Sequence, residues 1–235
     1  MKILTLGDCN TLGMELLQSS AYTFPYKLIS FMQDDGFDVE LLNLGMTMST
    51  TREGVTLMKD QGVQYAADLI IINYGLVDCW VTTIPSIYVP YYPDSPGRKR
   101  RRKLLKSLKR RLRRPLLLRF VPTGYVVSPD EFSKNLTEMA NLARNKNSGV
   151  DIIFWGSMPV REDATRNESL ILYNAVLKEV ASKVGGYYLD ASSLFNEDEE
   201  KSLWYLDEVH LTAEVHGRIA QGMQALWLVI KGADT

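Results

Sequence analysis

A cysteine near the N-terminus and an acid–histidine pair near the C-terminus are the residues of this sequence best suited to chemistry. Cys9 follows Gly7 and Asp8 at the end of a short apolar run, and Asp207 precedes His210 by three residues. A nucleophile needs a base that takes its proton, and the base needs a carboxylate that fixes its tautomer. Cys9, His210 and Asp207 suit these three roles, which predicts acyl transfer if the two ends of the chain meet.

The segment around Cys9 predicts a sharp turn from a strand into a helix. Its apolar run ends at a glycine, and a polar triplet then opens an amphipathic helical pattern. Such a turn raises one side chain above the C-terminal edge of a parallel sheet. A second glycine, Gly45, follows the next apolar run. The negative charge that develops on an attacked carbonyl needs hydrogen-bond donors, and we expect the amides of Cys9 and Gly45 to supply them.

Five apolar runs alternate with helical patterns, and this alternation predicts the fold. The runs cover residues 2–6, 39–42, 67–73, 150–155 and 186–189. Helical patterns cover about 11–34 with a break near Pro25, and then 128–145, 167–184 and 213–231. Alternating strands and helices indicate an α/β protein with a parallel sheet. We therefore predict one domain with a three-layer α/β/α, doubly wound, five-stranded parallel sheet of the flavodoxin-like type.

Four blocks in chain order resemble the SGNH (GDSL-type) hydrolase family. They are Gly7-Asp8-Cys9, Asn43-Leu44-Gly45, Gly75-Leu76-Val77-Asp78 and Asp207-Glu208-Val209-His210. The resemblance implies the SGNH hydrolase fold, hydrolysis of ester bonds without a cofactor, and an oxyanion site that includes the Gly45 amide. We also assign supporting roles in the site to Asp8, Asn10, Gly75 and Asp78.

Two positions depart from the family pattern. Cys9 stands where the family has its nucleophilic serine, and Val77 stands where it has an oxyanion-hole asparagine. A cysteine forms a thioester, which favours passing the acyl group to an acceptor as much as hydrolysis. Losing one oxyanion donor costs on the order of 10²–10³ in rate, and Asn10 or Asn73 are the candidates to replace it. Three functions stay open: a carbohydrate or glycolipid O-acyl esterase, an acyltransferase, and a catalytically silent glycan-binding protein.

The remaining histidine and cysteine have structural interpretations. His216 is expected to pack or cap at a helix N-terminus, and Cys79 with Trp80 is expected to pack near the site. Two cysteines make no disulfide framework, and no Cys/His cluster has zinc-ligand spacing, so we predict neither a structural metal nor a cofactor. The sequence has no signal-peptide pattern and no apolar window of membrane-spanning length. We therefore expect a cytoplasmic protein.

A basic insertion at about residues 81–127 interrupts the α/β pattern. The stretch from Arg98 to Arg119 holds 13 of the 27 Lys and Arg residues and no acid, which leaves 14 bases against 28 acids elsewhere. Leu104, Leu108 and Leu112 recur within it every four residues, which predicts a basic amphipathic helix that ends before Pro115. Three interpretations are left open: a solvated helical face or disordered loop, docking on the anionic inner surface of a membrane, and binding of an anionic glycan or similar polymer. The acidic body and the lack of an aromatic stacking ladder argue against nucleic acid.

Overall fold

The computed structural model describes residues 1–13, 16, 21–113, 119–195 and 200–233, and the predicted fold class is confirmed. Five parallel strands form one sheet in the order β2-β1-β3-β6-β7, and β4 pairs with β5 in a separate antiparallel ribbon. The strands are β1 Lys2–Gly7, β2 Glu40–Gly45, β3 Leu69–Asn73, β4 Val81–Thr83, β5 Thr123–Tyr125, β6 Asp151–Gly156 and β7 Tyr187–Asp190. The strand order reverses between β1 and β3, the point at which such sheets place their ligands.

Helices connect the strands. They are α1 Cys9–Leu12, α2 Phe24–Asp34, α3 Thr51–Leu57, α4 Val63–Tyr65, α5 Pro96–Leu112, α6 Pro129–Lys146, α7 Ala164–Lys183 and α8 Ala213–Ala233. The break expected near Pro25 lies before it, and Pro25 stands in the first turn of α2, where its missing amide costs no hydrogen bond. Residues 14, 15 and 17–20 of the predicted first helix lie outside the described residues. None of the described helices is both long and apolar enough to span a bilayer.

Successive side chains of the central strands point into two different apolar layers. Ile3 packs with residues of α2 and α8, whereas Leu4 packs with residues of α3, α6 and α7. The same alternation places Ile71 on the first face and Ile70 on the second. Both faces of the sheet are therefore covered, which explains why its strands read as continuous apolar runs. What remains accessible is the edge where the strands end.

The basic segment enters and leaves the body through the β4–β5 ribbon. Val81 and Tyr125 are opposite each other in its register, and the backbone bonds continue inward from Val126 to Trp80 at 2.7 Å and from Val127 to Asp78 at 3.1 Å. In the sequence, helix α5 comes after β4 and before β5.

Two of the three leucines of the apolar stripe expected on α5 face solvent, whereas the third, Leu112, is partly buried. Leu104 and Leu108 are 72% and 48% exposed, and the leucine that faces the body beside a surface groove is Leu105. The predicted stop at Pro115 lies outside the described residues.

Candidate active site

The turn after β1 places Cys9 at the first position of a one-turn helix. Asp8 caps this helix, because its Oδ1 accepts a hydrogen bond of 2.9 Å from the Asn10 amide. A Cβ at Gly7 would lie 2.0 Å from Thr11 Oγ1, so the turn is too tight for any side chain there. Cys9 therefore sits at a helix N-terminus, where the first amides have no acceptor within the helix.

Asp207 holds His210 in one orientation. One carboxylate oxygen, Oδ1, accepts 2.8 Å hydrogen bonds from the amides of Val209 and His210, and Oδ2 lies 2.6 Å from His210 Nδ1. Partial burial raises the pKa of Asp207, but these hydrogen bonds outweigh it and leave the pKa below its usual value. The ionised carboxylate keeps the proton on Nδ1, so the other ring nitrogen, Nε2, is the one that can accept a proton.

Asn10 ties the two ends of the chain together. Its Nδ2 donates to the Val209 carbonyl at 3.2 Å, and its Oδ1 accepts from the Leu211 amide at 3.3 Å. These are the two neighbours of His210, so the residue after Cys9 fixes the backbone on both sides of the histidine. The structure thus brings the N-terminal and C-terminal blocks to one edge of the sheet.

The Cys9 thiol is enclosed by apolar side chains. It is 6% exposed and packs with Leu76, Val160 and Val209. Burial, and next the carboxylate of Asp8, raise the pKa of the thiol far above its usual range. Within the described part of the chain no side chain hydrogen-bonds to Cys9 Sγ. The thiol is therefore protonated at neutral pH until a base takes its proton.

Asp78 clamps the loop after β3 to the start of α3. It is fully buried, and it accepts hydrogen bonds from the amide of Thr51 at 2.9 Å, from the Thr51 hydroxyl at 2.8 Å and from the amide of Gly75 at 3.3 Å. Burial nevertheless raises the pKa of Asp78 to about 7. Gly75 has a φ of 125°, which only glycine adopts readily. Both residues shape the loop that carries Val77.

The amide of Gly45 is already used in this structure. It donates to Asn43 Oδ1 at 2.9 Å, and a Cβ at Gly45 would lie 2.4 Å from the Leu12 backbone nitrogen. The glycine therefore allows β2 to approach α1 closely.

Both asparagines considered as replacement donors already use their side-chain amides in the described structure: Asn73 uses both N–H groups, and Asn10 uses one of its two. Asn10 Nδ2 donates to Val209, and Asn73 Nδ2 donates to the Trp155 carbonyl and the Ser157 hydroxyl at 3.0 and 3.3 Å. Among the oxyanion donors considered from the sequence, the Cys9 amide has no hydrogen-bond acceptor in the described structure.

Two residues that sequence reasoning missed also lie at the site. Arg166, at the start of α7, donates from Nη2 to the Leu76 carbonyl at 2.7 Å and places its guanidinium 4.4 Å from the centre of the Trp80 ring. Its charge acts to lower the pKa of Cys9. Met48 has a φ of 58°, a conformation that non-glycine residues seldom adopt away from special sites. Neither residue belongs to a recognisable motif, so no sequence signal marked them.

His216 is buried in α8 and has the structural role expected of it. Its Nδ1 accepts a hydrogen bond of 3.2 Å from the amide of Phe24, the first residue of α2, and its ring stacks on the Phe24 ring. Burial, and next the positive charge of Lys27, lower the pKa of His216 to about 4. The ring is therefore neutral at neutral pH and serves as a cap for α2.

A groove of about 750 Å³ runs from the site loops to α5. Met48, Val77 and Trp80, from the loops that follow β2 and β3, line the groove, and the side chains of α5 form one wall. Val77, in the loop after β3, thus presents an apolar side chain to the groove.

Comparisons with known proteins place this geometry in a family. Similar solved structures include Axe2, an acetylxylan esterase from Geobacillus stearothermophilus, at 16% identity and a TM-score of 0.66 over 95% of this chain and 92% of that one. TesA matches at 14% identity and a TM-score of 0.64, over 96% of this chain and 97% of that one. A lipolytic protein of the G-D-S-L family from Desulfitobacterium hafniense matches at 14% identity and a TM-score of 0.64, over 95% of this chain and 98% of that one. At these identities the likeness establishes the fold.

The comparison with curated proteins gave no match. The model of the GDSL-like lipase/acylhydrolase family matches residues 5–218, a span that contains all four blocks. The resemblance noted in the sequence is thereby confirmed. The chain belongs to the GDSL-like lipase/acylhydrolase family and is a hydrolase of the esterase type.

Proposed function

We propose that the protein cleaves an O-acyl ester of a carbohydrate or glycolipid with Cys9 as nucleophile, His210 as base and Asp207 as the residue that orients the base. The observation that carries the proposal is the Asn10 side chain, which bonds to both neighbours of His210 from the position next to Cys9. Nucleophile and base need a fixed mutual geometry, and this link supplies it.

The reaction has two halves. In the first, His210 takes the thiol proton while Cys9 Sγ bonds to the ester carbonyl carbon, and the alcohol leaves with that proton as its C–O bond breaks. In the second, His210 takes a proton from water as the water oxygen attacks the thioester. The C–S bond then breaks and Sγ recovers the proton. The Cys9 amide is the oxyanion donor supported by its position at the start of α1.

Two observations support a carbohydrate ester as the substrate. Axe2, which shares the fold, is an acetylxylan esterase. The groove beside the site is lined by Trp80, Tyr88 and Tyr91, which combine flat apolar faces with polar tips.

Acetylated xylo-oligosaccharide and 4-nitrophenyl acetate test the proposal. Intact-protein mass spectrometry should show one acetyl group on the protein, and peptide mapping should place it on Cys9. The Cys9→Ala and His210→Ala variants should lose at least about 10²-fold in kcat/KM, whereas the matched control Cys79→Ala, at the other buried cysteine, in the loop after β3, keeps its activity. An unacetylated Cys9 together with full turnover in Cys9→Ala would overturn the cysteine mechanism.

Acyl transfer is a second candidate, and the burial of Cys9 favours it. Apolar side chains around the thiol limit the access of water to a thioester. Adding an alcohol acceptor distinguishes the two: transfer predicts an ester product at the expense of free acid. If the Cys9→Ser variant hydrolyses the ester and the natural protein does not, the natural protein is catalytically silent and both catalytic candidates fail.

A further inference from the structure

The groove beside the site has an apolar floor and a cationic wall. Most of the floor is apolar, supplied by Met48, Val77, Val81, Pro85, Ile87, Val89 and Val126. The wall is one face of α5, from which six cations line the groove: Arg102, Lys103, Lys106, Lys109, Arg110 and Arg113. No Asp or Glu is among the lining residues. The groove therefore presents apolar surface and positive charge side by side.

Most of these cations form no ion pair with the residues that the structure describes. Within the described ranges, Arg102 is the member of this wall that forms an ion pair, with Asp94 at 2.6 Å. Lys109 is partly buried beside other cations: burial, and next the charges of Arg113 and Arg52, hold its pKa below the usual value. Like charges held together without partners cost free energy that a bound anion would recover.

Other residues of the insertion hold the wall, and the amide of one of them, Tyr91, donates to Glu53 of α3 at 2.8 Å, so the charges of the wall have defined positions. Arg102 donates to the Pro90 carbonyl at 2.7 Å and stacks on the Tyr91 ring with its guanidinium 4.5 Å from the ring centre. Lys109 Nζ lies 3.5 Å from Thr82 Oγ1 in the ribbon strand β4. A wall anchored at both points differs from a mobile basic tail, which would attract anions without a defined site.

We propose that the groove binds the non-reacting part of the substrate and that this part is an anionic amphiphile. An apolar portion lies on the floor, and a phosphate, sulfate or carboxylate group faces the α5 cations. The proposal rests on the proposed function for the reaction at Cys9, and it narrows the substrate to acyl esters that carry negative charge beyond the ester. Val77 lines the groove, and Leu76, the residue before it, packs against Cys9, so one loop connects the binding surface to the proposed nucleophile.

Binding of octyl phosphate and octyl glucoside, measured by calorimetry, tests the charge and the apolar floor separately. The groove variant Lys106→Gln/Lys109→Gln/Arg113→Gln removes three lining charges. The matched control Arg100→Gln/Arg101→Gln/Arg111→Gln removes three charges from the same segment outside the groove. We expect the groove variant to weaken octyl phosphate binding by about tenfold or more, and the control to change it by less than about twofold. Equal losses in the two variants, or equal affinity of the natural protein for the two amphiphiles, would overturn the proposal.

Docking of α5 on a membrane is a different outcome with different residues. Leu104 and Leu108 point to solvent on α5, and a membrane-docking helix would use them. If Leu104→Gln/Leu108→Gln abolishes binding to phosphatidylglycerol vesicles and also to octyl phosphate, while the groove variant binds normally, the outer face is the anion site and the groove proposal fails.

Turnover separates this proposal from the proposed function. The ratio of kcat/KM for an acyl ester with a phosphate group to that for its neutral counterpart should fall about tenfold in the groove variant and stay constant in the control. Octyl phosphate binding in Cys9→Ala should equal that of the natural protein. Binding without any turnover would contradict the ester-cleavage proposal alone, and turnover without charge preference would contradict the groove proposal alone.

Discussion

The side chain of Asn10 donates a 3.2 Å hydrogen bond to the carbonyl of Val209, a residue 199 positions away in the sequence. Together with the bond from the Leu211 amide, it makes one side chain responsible for the position of His210 relative to the turn that carries Cys9. Asn10 therefore links the turn that carries Cys9 to the backbone on both sides of His210.

Replacing Asn10 with alanine should reduce activity more than stability. The variant leaves a buried amide and carbonyl without partners, which costs about 1–3 kcal/mol, and it frees the segment around His210. We expect kcat/KM for 4-nitrophenyl acetate to fall on the order of 10²-fold. Asn147→Ala is the matched control, because it also removes hydrogen bonds to the backbone, at Ala67 and Gly149. Equal activity losses in the two variants would show that Asn10 acts through stability alone.

Replacing Gly45 with alanine should destabilise the protein. The new Cβ would lie 2.4 Å from Leu12 N and 2.6 Å from Thr11 C, and backbone atoms cannot rotate away. We expect a loss of about 1–3 kcal/mol in the free energy of unfolding, measured with urea. Gly97→Ala serves as the control, because nothing lies within 4 Å of its added Cβ. If Gly45→Ala is as stable as the natural protein, the distance between β2 and α1 in solution is larger than the structure shows.

Replacing Val77 with asparagine should restore a donor near the developing negative charge. Val77 is 4% exposed and lines the groove. Because one oxyanion donor is worth on the order of 10²–10³ in rate, we expect kcat to rise by at least about tenfold. The same substitution at Val126, another groove residue, should give no increase. An unchanged kcat in Val77→Asn would mean that the negative charge develops away from this loop.

The buried carboxyl of Asp8 should make stability depend on pH. Burial, partly offset by the Asn10 amide, raises its pKa from 3.8 to about 7, and its Oδ2 has no hydrogen-bond partner. A raised pKa in the folded state means that the stabilising contribution is complete below pH 4 and is lost as the pH rises to about 7. Asp8→Asn stays neutral and can still accept from Asn10. Its stability relative to the natural protein should therefore increase by roughly 2–4 kcal/mol between pH 4 and pH 8.

Urea unfolding at the two pH values measures this change. Asp163→Asn, which alters an exposed helix cap, is the control and should show a much smaller difference. A pH-independent difference for Asp8→Asn would mean that the carboxyl is ionised in the folded protein at both pH values.

The fold and the reacting edge could be predicted because local patterns encode them. Continuous apolar runs mark strands covered on both faces, and the Asp-x-x-His spacing lets one carboxylate bond to the ring and backbone of His210. Other side-chain hydrogen bonds could not be predicted, whether local or between distant residues, because their partners depend on the folded backbone. The amide of Gly45 looks like a free donor in the sequence, yet Asn43 two residues earlier accepts from it. Arg166 looks like an ordinary helix residue until the topology brings it over Trp80.

The sequence also could not predict which face of α5 lines the groove. A leucine every four residues predicts one apolar stripe, but Leu105, outside that stripe, is the leucine that lines the groove. The attachment of the helix through the β4–β5 ribbon fixes its rotation, and that ribbon pairs residues about 40 positions apart.

The β4–β5 ribbon has a consequence for how this enzyme can diversify. Val81 and Tyr125 are paired neighbours, so the intervening chain leaves and rejoins the body through a gap of about 5 Å. A shorter hairpin or a different helix can be grafted at that gap without disturbing β1, β3 or the two ends of the chain that meet at Cys9. The geometry therefore allows the segment with the proposed charge selectivity to be exchanged independently of the two chain ends that carry the proposed reacting residues.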